Sequence, residues 1–187
     1  GGRDALLAII KPTEEMGYEV IYGHTDSIFV KMGDDLSHKE CVEKAQKLAK
    51  ELTLLIQKEV NSEALVVEAE ILMDRFFLTK RNKYAGRAVW LPEAGYISNL
   101  DVEDRMKIQG LEIIQTNTAN IAKEIQLTVL KMIWDDTNNT DIVNFILDHI
   151  NNVREGNVED SDLIGGAKIH QWLPTRKELK KMGKTVL

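Results

Sequence analysis

Residues 18–32, Tyr-Glu-Val-Ile-Tyr-Gly-His-Thr-Asp-Ser-Ile-Phe-Val-Lys-Met, decide how the rest of the chain is read. Tyr18 to Tyr22 and Ser27 to Met32 are rich in β-branched and aromatic residues and flank the polar Gly23-His24-Thr25-Asp26, which predicts a strand, a tight turn and a second strand. Asp26 is then a carboxylate presented by two strands, and rigid presentation is what a metal ligand needs. Mg2+ takes oxygen ligands and keeps waters and substrate phosphates in its shell, so one or two protein carboxylates suffice. Taken alone, the same residues also suit an ordinary turn in which Asp26 bonds only the local backbone. Gly23 either permits the turn or lets a neighbour approach closely.

Before this stretch, Leu6, Ile9, Ile10 and Met16 give a helical pattern over Ala5 to Met16 that stops at Gly17. Ser37 followed by Glu40 is a capping box, and Val42, Ala45, Leu48, Ala49, Leu52, Leu55 and Ile56 continue a helix to Val60. Leu65 to Leu78 and Tyr84 to Leu91 read as strands on either side of a basic connection. Beyond about residue 115 the period becomes helical: one helix through Ile121, Ile125, Val129 and Ile133, with Asn117 or Thr118 as its cap, and another after Thr140. The expectation is an α+β fold, an antiparallel or mixed sheet with packed helices over 1–114, followed by a mainly helical part over 115–187.

The chain has 187 residues, enough for one domain with a sizeable core or a domain plus an appendage. It carries 24 Lys plus Arg against 30 Asp plus Glu, a net charge of -6, which excludes a uniformly basic nucleic-acid coat. The charge is segregated: residues 75–87 and 168–187 are each +5, leaving the remainder at -16. Two basic, aromatic-containing stretches on an acidic body suit a phosphate-tracking surface, although lysine-rich stretches are also ordinary solvated faces. Hydrophobic residues are 43%, as in folded globular proteins, and the single Cys41 excludes an intrachain disulfide. No apolar run approaches the roughly 20 residues that span a bilayer, so no membrane role is expected. With neither an initiator Met nor a terminus signal, the chain reads as a piece of a longer protein.

The run YEVIYGHTDSIFV closely resembles motif C of the family B DNA polymerases, whose usual form places YGDTDS between two hydrophobic strands. Gly2-Arg3 before a helix is similar to what precedes that motif, Leu78 to Gly86 (LTKRNKYAG) resembles the family's basic KKRYAG segment, and Ile108 to Gln126 is similar to the stretch that leads into the thumb. The resemblance, archaeal in type, implies the C-terminal part of the palm over 1–114 and part of the thumb over 115–187. It further implies template-directed nucleotidyl transfer to a primer 3′ end with two Mg2+ ions. Asp26 matches the principal metal ligand and thus the catalytic carboxylate, with Tyr22, Gly23, His24, Thr25 and Ser27 as its motif neighbours. Lys80, Arg81, Lys83 and Tyr84 match the DNA-binding segment. The implied partners are primer–template DNA, dNTP and the rest of a polymerase: the N-terminal and exonuclease parts, the motif A palm and the fingers. Without motif A the piece alone is expected to be inactive. The implied location is the cytoplasm, at the nucleoid.

Three departures set up a rival. His24 stands where the motif has its first Asp, Asn82 where the basic segment has a lysine, and Gln115-Thr116-Asn117 where paired arginines and an Asp are usual. They suit a non-catalytic polymerase-like subunit that binds duplex DNA or a replication partner. Trp90, Trp134 and Trp172 read as packing residues, although Trp172, beside the basic tail, could stack on a base. A metabolic nucleotide-binding domain is disfavoured because no Gly-rich phosphate loop follows any strand.

Overall fold

The structure is a computed structural model that describes residues 2–166, with side chains from Leu6 onward. The basic stretch 168–187, Trp172 and His170 lie outside the described residues. Residues up to Gln109 cluster into one compact unit and those from Gly110 into a second.

In the first unit, α1 (Gly2–Glu15) leads into β1 (Glu19–His24) and β2 (Ser27–Lys31), an antiparallel pair closed by a two-residue turn. The turn is Thr25-Asp26; Gly23 lies inside β1, opposite Ile28. A Cβ on Gly23 would sit 3.4 Å from side-chain carbons of both Leu6 and Ile10, so the glycine brings the strand directly onto α1. Close approach, not the turn, is its use here.

The capping box is present: Ser37 Oγ accepts from the Glu40 amide and the Glu40 carboxylate accepts from the Ser37 amide. From it α2 (His38–Val60) runs to a left-handed Asn61 and buries Cys41, Val42, Leu48, Ala49, Leu52 and Ile56 on one face. The strand expected from Leu65 begins only at Leu72. Residues 65–71 lie off the ladder, and α2 side chains take backbone bonds here and just before: the Val67 amide donates to Thr53 Oγ1 (2.9 Å), and Gln57 Nε2 donates to the Glu63 and Leu65 carbonyls (3.1 and 3.0 Å).

The antiparallel pair β3 (Leu72–Lys80) and β4 (Lys83–Leu91) turns at Arg81-Asn82; the far edge of β4 pairs with β5 (Gly95–Tyr96) and β6 (Met106–Gln109). Every pairing is antiparallel, and the β1–β2 hairpin forms its own two-stranded sheet instead of joining the larger one. Central β4 carries the core, with Tyr84, Ala85, Ala88, Val89 and Trp90 all buried. A Cβ on Gly86 would fall on the Met73 sulfur of the neighbouring strand, so a larger residue there would require the Met73 side chain to move. Arg87 closes a bidentate pair across β3 and β4, donating from Nε and Nη2 to the two Asp74 oxygens at 2.9 Å each.

The second unit contains α3 (Asn120–Trp134), α4 (Asn139–Arg154) and the short α5 (Asp160–Leu163). Neither Asn117 nor Thr118 caps α3: the cap position falls on Ala119, which offers no side-chain acceptor. Gly166 and Gly165 instead approach the Thr116 and Asn117 carbonyls so closely that side chains there would collide with backbone. α4 begins one residue ahead of Thr140, with Asn138 Oδ1 accepting from the Asp141 amide at 3.0 Å. α3 buries Leu130 and Trp134, whereas α4 buries no side chain fully.

Candidate functional site

The Asp26 carboxylate is exposed at the apex of the β1–β2 hairpin, where the His24↔Ser27 pair closes the turn beneath it. Thr25 Oγ1 donates to Asp26 Oδ1 at 2.8 Å, and this bond, followed by a backbone amide, lowers the Asp26 pKa below the ordinary carboxylate value. Ser27 and the neighbouring His24 act in the same direction, more weakly. Asp26 is therefore an anion at the tip of a hydrogen-bonded hairpin. Thr25 reaches its place with φ of 50°, a left-handed conformation that a β-branched residue rarely adopts. Such strain persists only where the surroundings hold it, and it is commonly found at functional sites.

A hard divalent cation fits this donor set in part. An ionised, exposed carboxylate oxygen is the right chemistry for Mg2+. No cluster of three or more His, Cys, Asp or Glu side chains forms among the described residues, so Asp26 would need further ligands from other polypeptide or from substrate.

The second hairpin has the opposite charge. Lys80 and Arg81 are exposed at its tip and Lys83 is half-buried, while the fifth cation of the 75–87 stretch, Arg87, is paired with Asp74. Tyr84 is only 7% exposed, and burial raises its pKa. Its ring packs against Tyr22, Phe29 and Phe76 at centroid distances of 6.1, 5.1 and 5.6 Å, so it serves the site from beneath the surface. Tyr22 and Phe29 come from the first hairpin, Phe76 and Tyr84 from the second. This aromatic cluster places the acidic and basic hairpins on one shared foundation.

Above the cluster the two hairpins are hydrogen-bonded. The Asn82 amide donates to the Tyr22 hydroxyl at 2.8 Å, and that hydroxyl donates to Asn82 Oδ1 at 3.0 Å. The sequence marks Asn82 only as a missing lysine. Its φ of 62° shows a positive reason for asparagine, which tolerates the left-handed turn conformation better than most residues. The Arg-Asn pair between two strand-like runs carries that local signal; the Tyr22 partner is too distant in sequence to leave one. His24 stacks loosely on Tyr22, with ring centroids 6.2 Å apart.

Among the described residues no helix is long and apolar enough to cross a membrane. Comparison with known proteins matches residues 3–181 to the family model for DNA polymerase family B. A DNA polymerase of Archaeoglobus fulgidus is 25% identical over 163 residues, covering 87% of this chain and 18% of that protein. The DNA polymerase delta catalytic subunit of Dictyostelium discoideum is 30% identical over 141 residues, 71% of this chain and 12% of the relative. A DNA polymerase of Thermococcus kodakarensis is 31% identical over 137 residues, 72% of this chain and 7% of the relative. The chain thus spans less than a fifth of the length of these curated relatives.

Proposed function

The chain belongs to DNA polymerase family B, and from that membership we propose that it forms the C-terminal part of the palm, over 1–114, and part of the thumb, over 115–187, of a DNA-directed DNA polymerase. The expected reaction joins the primer 3′ oxygen to the α-phosphorus of a dNTP and releases pyrophosphate. The observation that carries this reading is Asp26: an ionised, exposed carboxylate at the apex of a strained two-residue turn, on the same aromatic base as a basic hairpin.

Each side chain then has a physical task. Asp26 would hold Mg2+ together with a carboxylate from polypeptide beyond this chain, and the Thr25 hydroxyl keeps it ionised and oriented. Bound there, divalent ions would supply the positive charge that offsets the triphosphate and the charge developing in an in-line displacement. Lys80, Arg81 and Lys83 would lie along the backbone of the new duplex, where cations supply affinity regardless of sequence. Tyr84 holds that surface up from below. The proposed partners are primer–template DNA, dNTP and the remaining polymerase domains.

Primer extension by the intact protein, compared with Asp26→Ala, tests this. The reading expects a loss of about a thousandfold or more, since a metal-held transition state is worth several kcal/mol. Equal rates, zero in both included, would overturn it. One observation favours a non-catalytic, duplex-binding member instead: His24 removes an anion beside Asp26 and offers a softer nitrogen donor. That reading expects duplex binding with no extension.

A further inference from the structure

The two hydrogen bonds between Tyr22 and Asn82 lie at the surface, above an aromatic cluster that already holds the strands together. They join the strand that leads to Asp26 with the residue at the turn of the basic hairpin. The phenol both accepts from the Asn82 backbone and donates to its side chain, so the turn is fixed in position and in direction. Arg81 precedes Asn82 and Lys83 follows it, hence the placement of both cations depends on how that turn is held. With a flexible lysine at this position there would be one more charge but no short carboxamide to meet the phenol.

We infer that Tyr22 and Asn82 form a clasp that sets the basic hairpin tip against the Asp26 hairpin, making both of them positioning residues for the duplex. The inference rests on the polymerase reading above and adds what the loss of a cation at Asn82 supplies in exchange: a pre-arranged tip whose remaining cations need less ordering when DNA binds.

The test uses the intact protein and a primer–template duplex, with dissociation constants read by fluorescence anisotropy. Tyr22→Phe keeps the ring in the aromatic cluster and removes the hydroxyl that makes both bonds. Asn82→Gly keeps the left-handed turn and the backbone donor but removes the carboxamide. Tyr22→Phe should weaken duplex binding by roughly threefold to tenfold, the range expected for hydrogen bonds of this kind, and Asn82→Gly by less. Arg81→Ala should then cost less in the Tyr22→Phe background than in wild type, a coupling that general destabilisation would not produce. Unchanged affinity in Tyr22→Phe, or an Arg81→Ala effect of equal size in both backgrounds, would overturn the clasp while leaving the polymerase reading in place. A wild-type protein that binds no duplex would overturn that reading itself.

Discussion

Two hairpins of the same construction carry opposite charges. Each closes through two residues, and each places one non-glycine residue in the left-handed region, Thr25 at φ 50° and Asn82 at φ 62°. The first presents a carboxylate held by its neighbour's hydroxyl; the second presents lysines and an arginine around an asparagine held from the other hairpin. Asn82 is suited to its backbone conformation and Thr25 is not. The difference lies in what each turn holds: the first carries a residue strained in its backbone whose hydroxyl bonds Asp26, and the second an asparagine bonded to Tyr22 of the other hairpin.

The larger effects are expected on the basic hairpin. Removing Arg81 and Lys83 together is expected to weaken duplex binding about tenfold or more at low salt and to flatten its log–log salt dependence by up to about 1.8, near 0.9 per phosphate contact. Salt titration of binding measures both, and an unchanged slope would place the contact surface elsewhere. The acidic side yields a smaller effect. Thr25→Val keeps the shape and the strain but removes the hydrogen bond that is the main cause of the lowered Asp26 pKa. Because that bond favours the ionised form, its loss should raise the Asp26 pKa toward the ordinary carboxylate value. The acid limb of any Asp26-dependent metal binding should move to higher pH with it. Carboxyl NMR titration of Asp26 reads this directly; an Asp26 pKa that stays low in the variant would assign the effect to the backbone.

Much of this was legible in the residues because it is local. β-branched and aromatic residues on either side of Gly23 to Asp26 predict the hairpin, Ser37 with Glu40 announces α2, and the largely apolar run Tyr84 to Leu91 marks β4. What escaped was non-local. Residues 65–71 read as a strand from their apolar content and partial alternation, but Thr53 and Gln57 on α2 bond the Val67 amide and the Leu65 carbonyl instead. Gly23 leaves a turn and a close approach both open until α1 is seen against it, and Ala119 gives no sign of being a helix cap. For the candidate site, the identity and exposure of Asp26 follow from its place between two strands, whereas the Tyr22–Asn82 bonds join residues 60 apart and have no pattern to betray them. Tyr84 shows the same limit, since an aromatic in a basic stretch suits a surface as well as it suits the core it occupies.

On the proposed reading, the β1–β2 apex holds a divalent ion. Mn2+ binding by the intact protein with primer–template and a non-hydrolysable dNTP, followed by electron paramagnetic resonance, tests it most directly. Asp26→Asn is expected to abolish or greatly weaken at least one tightly held ion; equal stoichiometry and affinity in the two proteins would contradict that site.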